Sequence, residues 1–255
     1  MSKGLLKDLT EAQRIISSRA ESDYAQGIES RLMYQVVCSD LPGVFSLGGD
    51  LANFVELIRA KNQTGLFDYA KTCVDILYQT ATNYGLPFTT IALVQGNALG
   101  GGFEAALSSN IIIAERGAKF GFPETMFGMF PGMGAFSFLS RRLSPGLAKR
   151  IITSGKSYTA EELHNIGAID ILAEGGKGME AVHAYINYHK PRSTGFHGLD
   201  HTIAQHMPIS YANLIDDAKV WAYTAMNISG KNIKLMERLV SAQNKRWNKN
   251  LLFPN

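Results

Sequence analysis

The sequence predicts an α/β fold with parallel strands that passes into a helical C-terminal region, and three observations carry that prediction. Short apolar, β-branched runs recur at 32–38, 88–95 and 111–115. Stretches of helical periodicity separate them, and the first two runs lead into glycine-rich turns that open helices. Strands buried on both faces read as continuous apolar runs, and their alternation with helices favours parallel pairing. With 255 residues and 45% apolar content, the chain has enough material for a large buried core.

Taken in order, Leu5, Leu6, Leu9, Ala12, Ile15 and Ile16 keep the spacing of one helix face, which predicts a helix over 5–20. Residues 32–38 read as a buried strand. Residues 39–49 are rich in turn formers, and a helix over 50–60 starts against Gly48 and Gly49. The next helix carries Leu66, Tyr69, Ala70, Cys73, Val74, Leu77 and Ala81 at spacings of three and four and is closed by Gly85. A second strand, 88–95, runs through Gly96-Asn97-Ala98-Leu99-Gly100-Gly101-Gly102 into a helix over 103–108 that contains Glu104. Strands at 111–115 and 119–121 follow, and Pro123 suits the first position of a helix with Glu124 in its opening turn. Beyond Lys149 the chain reads as mainly helical, with helices over 147–153, 159–166 and 178–188, the middle one opened by a Thr159 and Glu162 capping box. Residues 175–178 and 190–200 are the loosest segments, and the second is the expected linker. Helices over 210–227 and 232–247 complete the chain, with Trp221, Leu235 and Leu239 among their apolar positions.

Composition excludes several classes. The 25 basic and 22 acidic residues leave a formal charge of +3, too balanced for a nucleic-acid binder. No run approaches the roughly 18 apolar residues of a spanning helix, and no export signal is visible, so a cytoplasmic chain off the membrane is expected. Cys38 and Cys73 stand in apolar surroundings without metal-ligand spacing and read as buried free thiols. The six histidines show no ligand pattern, and no metal is expected.

The chemistry is concentrated in the turns. A glycine exposes its N–H without a side chain in the way, and a helix N-terminus adds partial positive charge to the unpaired amides there. The segments Leu47-Gly48-Gly49-Asp50 and Gly100-Gly101-Gly102 each lead into a helix, so one amide from each can bind a single carbonyl oxygen. Glu104, among Phe103, Ala105, Ala106 and Leu107, and Glu124, between Pro123 and Met126-Phe127, are carboxylates in apolar surroundings. Two carboxyl groups sharing an apolar pocket split their pKa values, so that one serves as base and the other as acid. Which is which, the sequence leaves open. An acyl chain would need apolar lining, and Met126, Phe130, Met133, Phe136, Trp221 and Leu239 are candidate material.

Phe45-Ser46-Leu47-Gly48-Gly49-Asp50-Leu51, Gly96 to Glu104 and Phe120-Gly121-Phe122-Pro123-Glu124 together resemble the crotonase (enoyl-CoA hydratase/isomerase) superfamily. The stretches 103–109 and Phe130-Pro131-Gly132-Met133-Gly134-Ala135-Phe136-Ser137-Phe138-Leu139 further resemble its diffusible signal factor synthases, with likeness from about Pro42 to Arg246. The resemblance implies a crotonase-like spiral of ββα units with a C-terminal helical region, Gly49 (with Gly48 beside it) and Gly101 as oxyanion donors, and Glu104 and Glu124 as the catalytic pair. It places Met133, Trp221 and Leu239 at acyl-pocket positions. It implies a core over 1–190, with 191–255 serving trimerisation and pocket capping. The implied reaction is dehydration of a 3-hydroxyacyl thioester on acyl carrier protein or CoA, then hydrolysis to a free cis-2-unsaturated acid that serves as a quorum signal. An ordinary enoyl-CoA hydratase is the alternative, and a catalytically silent protein that binds an acyl thioester or a sensor domain is an alternative of another class. A homotrimer or hexamer is implied, with a regulatory sensor protein as a further partner and no cofactor beyond the thioester carrier. Superfamily members usually open with strands before the first helix, whereas here a helix is expected from Leu5, so the first strands are expected to be missing or cut short.

Overall fold

The computed structural model describes residues 1–25 and 34–252; Leu32 and Met33, the expected start of the first strand, lie outside them. The chain opens with α1 (Lys3–Ala25), which packs against α3 (Gln63–Ala81), and Leu6 and Ala20 of α1 are buried. The Gln13 side chain fixes that crossing by donating to the Ile76 carbonyl at 2.9 Å.

A strand, a second strand and a helical segment then recur three times. These are β1 (Tyr34–Val37), β2 (Val44–Ser46) and α2 (Leu51–Arg59); after α3 come β3 (Thr89–Val94), β4 (Asn97–Leu99) and α4 (Gly101–Leu107). The third set is β5 (Ile111–Glu115), β6 (Lys119–Gly121) and a single 3-10 stretch, Pro123–Phe127, where the sequence suggested a regular helix. The chain continues through α5 (Ala135–Leu139), α6 (Pro145–Ser154), β7 (Ser157–Thr159), α7 (Ala160–Asn165), β8 (Ile171–Ala173), α8 (Gly178–His189), α9 (Ser193–His206), α10 (Tyr211–Met226) and α11 (Gly230–Leu252). The capping box at the start of α7 is formed: Glu162 N donates to Thr159 Oγ1, and Thr159 N to the Glu162 carboxylate.

The strands sort into two four-stranded sheets, β1-β3-β5-β8 and β2-β4-β6-β7, parallel throughout except where β7 runs against β6. The first strand of each repeat enters one sheet and the second enters the other. Every residue of β3 is buried. Its alternate side chains serve two clusters, Ala92 and Val94 in the main core and Ile91 and Leu93 in a smaller one closed by Val182 of α8. The continuous apolar run at 88–95 therefore reflects burial on both faces.

The second sheet positions the chemistry. Ser46 pairs with Ala98 and Leu99 with Gly121, so the carboxyl ends of β2, β4 and β6 lie side by side. The turn Gly48-Gly49, the turn Gly100-Gly101 and Pro123-Glu124 leave from those three ends.

Three expectations are corrected. Residues 190–200 are not a linker. Pro191 falls in a 3-10 turn, Lys190–Arg192, where its missing N–H is harmless, and α9 follows directly. His189 stacks on Tyr185 at 3.8 Å and meets Phe196 at 4.4 Å, which fixes the start of α9 despite Gly195 and Gly198. Cys38 is exposed, because β1 ends one residue earlier and leaves Cys38 in the following turn, while Cys73 is buried as expected. The glycine-rich run after the second strand is also not simply a loop, since β4 lies within it. Among the described residues no helix is long and apolar enough to cross a membrane.

Candidate active site

The two glycine turns meet because β2 and β4 are neighbours. Gly48 has φ +90°, and a Cβ on it would stand 2.7 Å from the Leu99 carbonyl oxygen, so no other residue fits there without moving the chain. A Cβ on Gly101 would stand 3.6 Å from Gly49 N, which puts the two glycines in contact. Gly101 is the first residue of α4, so its N–H has no acceptor within the helix. Among the described residues, neither Gly49 nor Gly101 donates in the turn and loop hydrogen bonds around the site. Two neighbouring amides, one of them at a helix N-terminus, are the arrangement that stabilising an oxyanion requires.

Glu104 lies one turn into α4 and is fully buried. Its Oε1 accepts from Met133 N at 2.8 Å and Ala135 N at 3.0 Å. Those amides belong to the turn that opens α5, where Gly134 takes φ +117°. Burial raises the Glu104 carboxyl to about 7, the two amide donors opposing the rise. Glu124, in the opening turn of the 3-10 stretch, is raised further, to about 8, first by burial and then by the Glu104 charge. Part of the Glu124 residue reaches solvent, but its Oε2 does not. Oε2 of Glu104 and Oε2 of Glu124 are both buried without a hydrogen-bond partner among the described residues. Buried polar atoms of this kind are normally satisfied, so these two point to a ligand or water between them. Gly100 takes φ +54°, which disfavours any side chain, and a Cβ on it would fall 2.2 Å from Glu124 Oε1 and displace that carboxylate.

Glu104, Glu124, Gly49 and Gly101 line one cavity, and Met133, Trp221 and Leu239 line it with them. Gly48 sits behind the donor turn, its carbonyl accepting from the Met1 amine. Met126 and Phe136 do not line the cavity. They are 63% and 48% exposed, Met126 on the outer side of its turn and Phe136 on the face of α5 opposite buried Ala135, Phe138 and Leu139. Phe130 packs against the core outside the lining. The sequence did not single out Phe54, Ile58, Tyr69, Met129 and Met236, which also line the cavity. On α2, α3 and α11 such residues keep the same helical spacing as ordinary core. One signal was present: in Phe130-Pro131-Gly132 a Cβ on Gly132 would stand 2.4 Å from Trp221 Cγ, a close approach only glycine allows.

Residues 28–176 match the family described as Enoyl-CoA hydratase/isomerase. Rat mitochondrial methylglutaconyl-CoA hydratase is 31% identical over 174 residues, covering 68% of this chain and 50% of the rat protein. The probable mitochondrial enoyl-CoA hydratase 2 of Arabidopsis thaliana is 32% identical over 145 residues, covering 57% of this chain and 46% of the plant protein. The chain thus spans about half the length of the curated relatives it matches. Among solved structures, enoyl-CoA hydratase from Bacillus anthracis superposes with TM-score 0.70 at 21% identity, covering 88% of this chain and 81% of that one. Human mitochondrial delta3-delta2-enoyl-CoA isomerase superposes with TM-score 0.74 at 16% identity, covering 94% and 89%.

Proposed function

The chain belongs to the enoyl-CoA hydratase/isomerase family, and from that premise we propose that its site adds or removes water across the C2–C3 bond of an acyl thioester. The observation that carries the reading is the pair of buried carboxyl groups facing one cavity beside two glycine donors. A double-bond shift moves one proton at a time and needs only one such group, whereas water addition must deprotonate water and protonate carbon.

Gly49 and Gly101 donate to the thioester oxygen and stabilise the enolate that forms when C3 is attacked. The two carboxyls divide the proton work according to what touches them. Glu104, with two amide donors, is the group more easily ionised and takes a proton from the attacking water. Glu124, higher in pKa beside the Glu104 charge, keeps its proton and delivers it to C2. Dehydration runs the same transfers backwards. The thioester carrier is part of the substrate, and the reaction draws on no other cofactor.

A CoA thioester is the substrate class that the family supports, and the relatives named hydratases favour the ordinary hydratase reading. A second reading rests on the likeness of 103–109 and 130–139 to signal synthases: dehydration on acyl carrier protein, then hydrolysis to a free cis-2-unsaturated acid. In both, residues 1–190 form the catalytic core, and 191–255 cap the acyl pocket and contribute to a trimeric assembly. Mass spectrometry of products from 3-hydroxyacyl substrates on CoA and on carrier protein separates them. Reversible thioester hydration supports the first, and free cis-2 acid the second. Glu104→Gln and Glu124→Gln test the shared chemistry, and full turnover by both single variants would overturn it.

A further inference from the structure

We infer that Tyr69 is a positioning residue for the oxyanion hole, holding the peptide that follows the Gly49 donor and thereby setting how strongly the thioester carbonyl is polarised. The inference rests on the function proposed above and names a residue to which that reading gives no role.

Tyr69 stands on α3, away from both catalytic turns in sequence, yet it lines the same cavity and is only 5% exposed. Its phenol oxygen accepts the Asp50 N–H at 3.2 Å, and its own proton goes to the Met1 carbonyl at 2.6 Å. Burial holds the phenol far above its ordinary pKa, so it keeps that proton. Asp50 in turn caps α2, its Oδ1 accepting Asn53 N at 3.0 Å, while the Gly49 carbonyl accepts Leu51 N at 3.0 Å.

Aromatic packing closes the remaining side. Phe54 meets Tyr69 edge to face, with centroids 5.0 Å apart, and meets Trp221 at the same distance. The Phe54 ring fills the space beside Gly49, since a Cβ there would fall 2.6 Å from Phe54 Cζ. The Gly49 peptide is thus bounded by a ring behind it, by the start of α2 after it, and by one hydrogen bond from a different helix. That last contact ties the donor turn to α3 directly, and Met1 adds an indirect tie, its amine donating to the Gly48 carbonyl and its carbonyl accepting from Tyr69. An oxyanion donor acts through fixed direction, so loosening it weakens transition-state binding more than substrate binding.

The test is Tyr69→Phe, which keeps the ring and removes the oxygen. Two measurements are made with a medium-chain 2-enoyl-CoA carrying ¹³C at the carbonyl: steady-state hydration, and the isotope-edited infrared band of the bound carbonyl. The expected result is a fall in kcat of about tenfold with KM nearly unchanged. The carbonyl band should move back toward its position in free solution. Replacement of Tyr69 by 3-fluorotyrosine, which keeps the hydroxyl, should retain both properties. A purely structural role would lower the thermal midpoint without moving the band. Wild-type kcat and an unmoved band in Tyr69→Phe overturn the inference alone. A wild-type protein that neither hydrates nor polarises the thioester overturns the proposed function together with it.

Discussion

Glu104 and Glu124 are the same side chain in two different settings, and the difference is measurable. Both are raised by burial, to about 7 and about 8, but only Glu104 receives two backbone N–H donors. Hydration needs Glu104 ionised and Glu124 protonated, so the rate should follow a narrow bell with limbs near those two values. The pH profile of kcat/KM for a 2-enoyl thioester checks this, and a flat profile from pH 5 to 9 would contradict it. Each Glu→Gln variant should lose about 10²- to 10⁴-fold in kcat and abolish one limb. Stability gives an independent reading. The folded Glu104 pKa lies above its ordinary 4.5, so the folded chain binds more protons than the unfolded one between about pH 4.5 and 7. Stability from this group is therefore present at low pH and lost as pH rises through that window. Glu104→Gln should match the parent near pH 4 and exceed it at pH 8 by about 3 kcal/mol, read from urea unfolding at both values.

At the scale of elements, what was legible in the sequence was what stereochemistry makes obligatory. Gly48 and Gly101 stood out because glycines between a strand and a helix leave their amides bare, and in the structure a Cβ on either would collide with its neighbours; Glu104 stood out because a carboxylate inside an apolar helix needs a reason. The strands β2 and β4 did not stand out. At three residues each, they have too little pattern to separate from the glycine turns they precede, and their pairing supplies what their sequence does not. The helix α9 was hidden by Pro191, Gly195 and Gly198, and none of its residues is buried to reveal a periodic face. Tyr69 was hidden for the opposite reason, being one more apolar position in a well-patterned helix. The turn at 131–134 joins both kinds of evidence: Gly132 lets Trp221 approach, and the amides of Met133 and Ala135 hold Glu104. Gly132→Ala should push α10 away from the site, destabilising the fold by about 1–3 kcal/mol and raising KM. Gly146→Ala in α6, where a Cβ would meet nothing within 4 Å, is the matched control and should be neutral or slightly stabilising. Equal effects of the two changes would mean that Gly132 is not a contact point.

On the scale of the whole molecule, the proposed reaction divides proton transfer and acyl-chain length between different parts of the chain. The two carboxyl groups and the amides that hold Glu104 come from α4, the 3-10 stretch and the turn into α5, whereas the far wall of the cavity comes from α2, α3, α10 and α11. The last two helices are fixed mainly by apolar packing. Met236 is only 1% exposed, whereas the ion pair between Arg59 of α2 and Glu237 of α11, at 2.5 Å, is open to solvent on both sides. An exposed pair contributes about 0–1 kcal/mol, and emptying a buried methionine site costs about 2–5, so Met236→Ala should loosen α11 far more than Arg59→Ala does. Leu239 lies on the same wall, partly buried and facing the cavity. Enlarging it to Phe fills space that an acyl tail would use without touching either carboxylate. Leu239→Phe should therefore lower kcat/KM for long acyl thioesters, spare the shortest, and leave both limbs of the pH profile in place. A series of 2-enoyl thioesters of increasing chain length, each measured across pH, separates the two effects. A uniform loss at every length would mean that α11 supports the catalytic groups themselves, and the division between chemistry and length selection would not hold.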